Sequence, residues 1–343
     1  MLLLDASNTA AHLHSLGVIA EPNGSTRIRE LSGGVSNIVL LVEPQGATPF
    51  VLKQSREQLR TRIDWFSKLE RIWSETAALR LLTNALPAGR VPAVLFEDRP
   101  NHAFAMTLAP VDADVWKPRL LAGTTNPAIA EDAGTLLAAM HTAPLPPPND
   151  DSDRLHDPTI FDELRIGPFY RRIAQVHPDL QPSVQVLLDG LATPQLTTFV
   201  HADFSPKNML VGHDARIFLV DFETAHFGDP AFDLGFFVSH LALKALRGAT
   251  LATGHSPYFD LIQTFWRAYR LHAAPLLSRD PGLIQRAQHH AAACCLSRVD
   301  GKSPVDYLDV PLQAVTRAFA RAAMLSIPTD EHEFLEAAER RLQ

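Results

Sequence analysis

The hydrophobic pattern of the first hundred residues changes from helical to strand-like. Residues 5–16 carry apolar side chains at helical spacing and are followed by Gly17, which predicts a short helix with a glycine stop. Short β-branched or aromatic runs come next, separated by Gly33-Gly34 and by Pro44-Gln45-Gly46, a pattern typical of antiparallel strands. The predicted strands are residues 26–31, 38–42, 50–53, 91–96 and 103–108.

The helical period returns between the third and fourth predicted strands. Residues 56–86 carry apolar side chains at steps of three and four, which predicts two helices. From about residue 126 the pattern is mainly helical, with strand-like runs at 198–200, 209–211 and 217–220 and a polar, proline-stiffened loop at 144–157. We place a boundary after residue 108, which gives an N-terminal lobe of residues 1–108 and a C-terminal lobe of residues 109–343.

Composition narrows the class of protein. With 46% hydrophobic and 20% charged residues in 343, the chain can bury a sizeable core. The net charge of -7 disfavours nucleic acid or an anionic membrane as the main partner. No run of apolar residues is long enough to span a membrane, which predicts a cytoplasmic protein. The two cysteines, Cys294 and Cys295, are neighbours and support neither a disulfide framework nor a cysteine zinc site.

The strongest chemical signal is an ordered set of acids and an amide. Asp203 is followed five residues later by Asn208, and thirteen residues after that by Asp221, at the end of a predicted strand. Alone, each residue would be an ordinary turn former. In this order they suit phosphoryl transfer, in which one carboxylate orients or deprotonates a hydroxyl while an amide and a second acid ligate Mg²⁺.

The surrounding sequence resembles the aminoglycoside phosphotransferase/choline kinase family, which has a protein-kinase-like fold. The resemblance rests on His201-x-Asp203 with Asn208, on Val220-Asp221-Phe222-Glu223, and on Gly228-Asp229-Pro230-Ala231-Phe232-Asp233-Leu234. Glu223 stands where protein kinases have the glycine of Asp-Phe-Gly, a feature similar to methylthioribose kinase. The resemblance implies an α+β, two-lobed fold, with a small antiparallel-sheet lobe carrying one long helix and a larger, mainly helical lobe.

The same resemblance implies roles for individual residues. Asp203 would be the catalytic carboxylate, with His201 and Asp233 bracing its loop. Magnesium would be held by Asn208 and Asp221, with Glu223 as a further metal or water ligand.

A nucleotide, ATP with GTP not excluded, would be bound mainly by the first lobe. The implied contacts are a phosphate-covering loop, a lysine with its helix glutamate, and a hinge for the adenine edge. Glu75 is the preferred partner of the lysine, and Glu70 competes with it. The residues are Ser32, Gly33, Gly34, Ser36 and Asn37 in the loop, Lys53 with Glu75, and Thr107 and Ala109 in the hinge.

These expectations predict an ATP-dependent kinase for a hydroxyl of a small metabolite, a sugar or an aminoalcohol. The alternatives are an aminoglycoside antibiotic phosphotransferase and an inactive kinase-like scaffold, although a scaffold has no need of Lys53, Asp203 and Asp221. The acidic residues at 149–163 would suit an amine-bearing acceptor or form a solvated loop. Arg298 lies where the methylthioribose kinase branch places basic residues near its substrate. We therefore expect a neutral or zwitterionic acceptor ahead of a cationic aminoglycoside.

Overall fold

A five-stranded antiparallel sheet forms the first lobe. The computed structural model describes residues 1–20, 26–31, 36–60 and 64–342. The sheet has the strand order β1-β2-β3-β5-β4, with α1 before it and α2 between β3 and β4, as the hydrophobic pattern predicts. The elements are α1 (Thr9–Ser15), β1 (Arg27–Glu30), β2 (Asn37–Glu43), β3 (Phe50–Ser55), α2 (Arg71–Ala85), β4 (Val94–Asp98) and β5 (Ala103–Thr107).

The prediction of two helices over residues 56–86 is wrong, because α2 is the only helix among the described residues of this range. Upstream of α2, Gln58 and Phe66 form an isolated antiparallel bridge. Leu59 and Trp65 pack in a cluster with residues of the second lobe, and the Trp65 indole donates to the Glu163 carbonyl at 3.1 Å. Leu59 and Trp65 therefore contribute to a contact between the lobes rather than to the apolar face of a helix.

The second lobe is mainly helical, with short strands around the middle of the chain. Strands β6, β8 and β9 form one small sheet, and β7 pairs with β10. Three of these strands match the predicted strand-like runs, whereas β6 and β10 were not predicted. The strands are β6 (Asp114–Val115), β7 (Thr198–Val200), β8 (Met209–Val211), β9 (Ile217–Leu219) and β10 (His226–Gly228).

Helices surround these strands. The polar segment predicted as a loop contains α5, because Asn149 and Ser152 form a reciprocal capping box at its start. The helices are α3 (Trp116–Leu121), α4 (Pro127–Thr142), α5 (Asp150–Leu155), α6 (Thr159–Phe161), a π-helical stretch (Asp162–Arg171), α7 (Arg172–Val176), α8 (Gln181–Ala192), α9 (Ala231–Gly248), α10 (Ser256–His272), α11 (Ala274–Arg279), α12 (Leu283–Asp300), α13 (Val310–Leu325) and α14 (Glu331–Glu339). Among the described residues, no helix is both long and apolar enough to cross a bilayer.

The buried helix α9 is the centre of this lobe. It packs against α10 and α12, and nearly all of its residues are buried. The contact with α12 requires a glycine, since a Cβ on Gly235 would lie 2.5 Å from the Ala287 carbonyl oxygen. Close packing fixes the first turn of α9, which carries Asp233, beside the segment that links β7 to β8.

Candidate active site

A buried lysine on β3 joins the two lobes. The Lys53 ammonium lies 2.7 Å from Glu75 on α2 and 2.6 Å from Asp221, which follows β9 in the second lobe. The structure thus pairs Lys53 with Glu75, while the competing Glu70 is largely exposed. Burial alone would lower the pKa of Lys53, but the charges of Asp221 and Glu75 raise it above its usual range. Lys53 is therefore charged at neutral pH.

The acids around Lys53 respond to it differently. Burial would raise the pKa of Asp221, but the Lys53 charge outweighs it and holds that pKa well below its ordinary value. Glu75 is more deeply enclosed, and burial raises its pKa to about 7 although Lys53 opposes the shift. Asp221 is therefore ionised at neutral pH, whereas Glu75 titrates near neutrality.

Asp203 lies in the segment between β7 and β8, which we call the catalytic loop. Its carboxylate contacts the Arg165 guanidinium at 2.9 Å and the Lys207 ammonium at 2.9 Å, and it accepts a hydrogen bond from the Asn208 amide at 2.9 Å. Burial would raise the pKa of Asp203, but the charges of Arg165 and Lys207 lower it below its ordinary value. The carboxylate is ready to accept a hydrogen bond or a proton.

The side chain of Asp233 holds the backbone of the catalytic loop. The Asp233 carboxylate accepts hydrogen bonds from the backbone N–H groups of His201 at 2.7 Å and Ala202 at 2.8 Å. Ala202 adopts a left-handed conformation, with φ of 60°, which an alanine disfavours. These two charge-assisted hydrogen bonds offset that strain and fix the position of the next residue, Asp203.

His201 holds the catalytic loop without being exposed at the site. It is fully buried, its Nδ1 accepts from the Asp203 N–H at 3.1 Å, and its Nε2 faces the Val220 carbonyl at 3.2 Å. These partners require a neutral ring with the proton on Nε2, and burial keeps the pKa of His201 below its ordinary value. The contacts of His201 are those of a positioning residue, the bracing role that the resemblance implies.

Asn208 and Asp221 are arranged as possible magnesium ligands. The Asn208 amide nitrogen donates to the Asp203 carbonyl and carboxylate, so its side-chain oxygen is left for another partner. Asp221, with φ of 71°, uses one carboxylate oxygen for Lys53 and keeps the second. Hard oxygen ligands of this kind suit Mg²⁺, which retains several waters. The described residues hold no cluster of three or more His, Cys, Asp or Glu side chains fit for a metal.

Glu223 has different partners from those predicted. Its Oε2 accepts hydrogen bonds from the Arg71 guanidinium at 3.0 Å and from the Asn37 amide at 2.8 Å. Arg71 is fully buried and also donates to the Ser36 carbonyl at 2.6 Å. These contacts link the lobes and give no support to the prediction of Glu223 as a metal ligand.

The remaining nucleotide-binding predictions concern the phosphate-covering loop and the hinge. Ser32, Gly33 and Gly34 lie outside the described residues. The Thr107 hydroxyl accepts from the Ala93 N–H at 2.9 Å, so that side chain supports the sheet. The Ala109 backbone takes part in no hydrogen bond among the described residues, as a hinge that reads an adenine edge requires.

The acidic segment at 149–163 is occupied by protein contacts. Asp151 pairs with Arg80 at 3.2 Å, Asp162 pairs with Arg171 at 2.6 Å, and the Glu163 carboxylate accepts from the Ser67 hydroxyl. The segment therefore offers little to an amine-bearing acceptor, and the interpretation as a structural surface is favoured.

Sequence reasoning missed three cations at the site: Arg71, Arg165 and Lys207. Lys207 had a signal, because it lies four residues after Asp203 within the quoted motif. Arg71 and Arg165 had none, since each meets its acid only through the tertiary fold.

The sequence of this chain is similar to those of known enzymes. The model of the phosphotransferase enzyme family matches residues 27–271. A 4-hydroxytryptamine kinase of Psilocybe cyanescens is 25% identical over 67% of this chain and 70% of its own length. A methylthioribose kinase of Geobacillus kaustophilus is 23% identical over 77% of this chain and 74% of its own.

A solved structure shows the same fold over nearly the whole chain. A choline/ethanolamine kinase family protein from Mesorhizobium loti superposes with a TM-score of 0.54 at 19% identity, covering 97% of this chain and 99% of that one. The expected two-lobed, kinase-like architecture is thereby confirmed.

Proposed function

The chain belongs to the phosphotransferase enzyme family, and from that premise we propose that it transfers the γ-phosphoryl group of ATP to a hydroxyl of a small metabolite. The observation that carries the proposal is that two carboxylates of the site have different partners. Asp221 is held by Lys53, on the side of the sheet lobe, and Asp203 is held by Arg165 and Asn208, within the helical lobe. One acid is placed for the nucleotide and the other for the acceptor.

The proposed step uses each residue in one role. The acceptor oxygen forms a bond to the γ-phosphorus while the bond to the bridging oxygen of ADP breaks. The ionised Asp203 orients the hydroxyl and accepts its proton. Lys53, fixed by Glu75, faces the phosphate oxygens. Mg²⁺, held by Asn208 and Asp221, would neutralise phosphate charge as it develops.

A pair of variants tests the division of roles. Mg-ATP at one hundred times its dissociation constant stabilises a protein by about 2.7 kcal/mol, which a melting curve resolves. We expect Asp203→Asn to keep this shift and to lower kcat by roughly 10²–10⁴-fold. We expect Asp221→Asn to lose the magnesium-dependent part of the shift.

Turnover is measured as ADP release with a panel of sugars, aminoalcohols and hydroxy acids. Asp260→Asn, an exposed position on α10, is the matched control and should behave as wild type. Absence of any melting shift with Mg²⁺ and ATP or GTP would refute the nucleotide role. Full turnover in Asp203→Asn would refute the catalytic role of Asp203, whereas the absence of turnover by the wild type with every acceptor would favour an inactive scaffold.

A further inference from the structure

Four basic side chains from separate elements meet on the helical-lobe side of the catalytic loop. They come from α3, the π-helical stretch, α9 and α12, and we call them the basic cluster: Lys117, Arg165, Lys244 and Arg298. Two aromatic rings locate them. Lys117 and Lys244 approach the Tyr307 ring, with ammonium-to-centroid distances of 5.8 and 5.5 Å. Arg165 and Arg298 both lie 5.9 Å from the Phe169 ring centroid.

The basic cluster adjoins Asp203 directly. The Arg165 guanidinium contacts the Asp203 carboxylate. The backbone N–H of Lys117 donates to the carbonyl of Pro206 in the catalytic loop at 3.0 Å. Any acceptor whose hydroxyl reaches Asp203 would therefore lie beside these cations.

Most of the basic cluster has no counter-ion. Within the described part of the chain, Lys117, Lys244 and Arg298 form no ion pair within 4.0 Å. Lys244 is 1% exposed, and its ammonium donates only to the His240 carbonyl, one turn earlier in α9. Arg298 donates to the Ser303 hydroxyl at 2.9 Å, while its Nε is buried without a partner.

The surroundings of Lys244 and Arg298 disfavour their charged forms in the absence of a ligand. Burial, together with the charges of Lys117 and Arg298, lowers the pKa of Lys244 well below its ordinary value. Burial also lowers the pKa of Arg298, although Asp203 opposes the shift. The Tyr307 hydroxyl is buried without a hydrogen-bond partner. Unpaired buried cations are costly unless a ligand supplies the missing charge.

We propose that the acceptor carries an anionic group, a carboxylate or a phosphate, which the basic cluster binds while the acceptor hydroxyl faces Asp203. The inference rests on the proposed function, because it names the acceptor class of the same site. It departs from the neutral or zwitterionic acceptor expected from the sequence. An anion here gains charge-assisted hydrogen bonds from Lys244 and Arg298, and the Tyr307 hydroxyl is free to donate to it.

Matched acceptor pairs test the proposal. ADP release is measured with glycerol, glycerate and glycerol 3-phosphate, with ethanolamine and serine, with choline and carnitine, and with ribose and ribose 5-phosphate. We expect the acidic member of at least one set to exceed its neutral or cationic counterpart in kcat/KM by 10-fold or more. Comparison of glycerate with glycerol 3-phosphate, and activity with ribose 5-phosphate, separates a carboxylate from a phosphate preference.

Variants then assign the preference to the basic cluster. We expect Lys244→Met and Arg298→Gln each to raise the KM of the acidic acceptor by about 10–100-fold, the usual effect of losing a hydrogen bond to a charged group. The KM of ATP should stay unchanged, and Arg298→Lys should restore part of the loss. Lys302→Met, an exposed lysine near Arg298, is the control. Melting curves check that each variant is folded, and Lys244→Met, which removes a buried amine that has no counter-ion among the described residues, should melt no lower than wild type.

The outcomes separate the two proposals. If neutral acceptors are preferred while Mg-ATP binding and dependence on Asp203 persist, the anionic acceptor is refuted and the proposed function stands. If the variants raise the KM of ATP instead, the basic cluster serves the transferring phosphate and the anionic acceptor is again refuted. If Mg-ATP does not bind, the proposed function itself fails.

Discussion

The surroundings shift the pKa values of three carboxylates of one site in different directions. The charges of neighbouring cations lower the pKa of Asp203 and of Asp221, despite burial that would raise both. Glu75 is enclosed more completely, and burial raises its pKa to about 7. Asp203 contacts two cations, whereas Asp221 and Glu75 share Lys53, so the deeper burial of Glu75 explains why its pKa rises while that of Asp221 falls.

The raised pKa of Glu75 predicts the acid limb of the activity profile. As pH falls through about 7, Glu75 gains a proton and loses the charge that holds Lys53. Asp203 and Asp221 remain ionised there, so they do not set this limb. We expect kcat/KM for ATP to fall below about pH 7 in the wild type, and the limb to be absent in Glu75→Gln, which should be less active at neutral pH.

The measurement is kcat/KM for ATP across the mildly acidic to mildly basic range. Glu70→Gln, on the exposed side at the start of α2, is the control and should keep the wild-type limb. A limb with an unchanged midpoint in Glu75→Gln would assign the titration to another group.

Helix α9 anchors the catalytic loop through the side chain of its first turn. Asp233 bonds to two successive backbone N–H groups there, in agreement with the bracing role that the sequence resemblance implies. The helix is itself fixed by the packing of Gly235 against α12. The position of the Asp203 carboxylate thus depends on the packing of α9.

Loss of the Asp233 charge should loosen the catalytic loop. Asp233→Asn keeps the side-chain size but replaces one acceptor with an amide donor that faces an N–H group. We expect the free energy of unfolding to fall by roughly 2–3 kcal/mol, the value of a hydrogen bond to a charged group. We also expect kcat to fall more than the KM of ATP rises, since Asp203 loses its support.

Thermal or urea unfolding and steady-state kinetics measure these effects. Asp260→Asn serves as the reference for a carboxylate lost from an exposed helix position. Unchanged stability in Asp233→Asn would show that the strained Ala202 backbone is held by other contacts.

Across the whole molecule, buried ion pairs join the two lobes. Lys53 reaches Asp221, and Arg71 reaches Glu223, so cations of the sheet lobe meet acids that follow β9. Trp65 and Arg80 add contacts to the π-helical stretch and to α5. The relative position of the lobes, on which alignment of nucleotide and acceptor depends, is therefore set by specific polar contacts.

The Arg71–Glu223 pair should contribute to stability rather than to metal binding. In Glu223→Gln the buried guanidinium loses its charged partner, and we expect the free energy of unfolding to fall by about 3 kcal/mol, near the lower end for breaking a buried pair. The magnesium concentration for half-maximal turnover should not change. A marked rise in that concentration at unchanged stability would identify Glu223 as a metal ligand after all.

The sequence by itself determined the features that depend on neighbouring residues. Short β-branched or aromatic runs between turn residues predicted the five-stranded sheet, and strand-like runs predicted three of the short strands in the second lobe, because strand propensity and turn chemistry are local. Gly17, with φ of 70°, ends α1 as predicted. The spacing of Asp203, Asn208 and Asp221 indicated phosphoryl transfer, and the three residues come together because Asp203 and Asn208 share one loop while Asn208 and Asp221 flank the paired strands β8 and β9.

Only the tertiary structure decided which distant side chains meet. Nothing local distinguishes residues 56–70 from a helix, yet Leu59 and Trp65 pack against residues of the second lobe. Asn37 and Glu223 are 186 positions apart, and the four members of the basic cluster come from four separate elements. The free energy of a buried charge depends on every group that packs around it, and a period or a spacing along the chain carries no record of those groups.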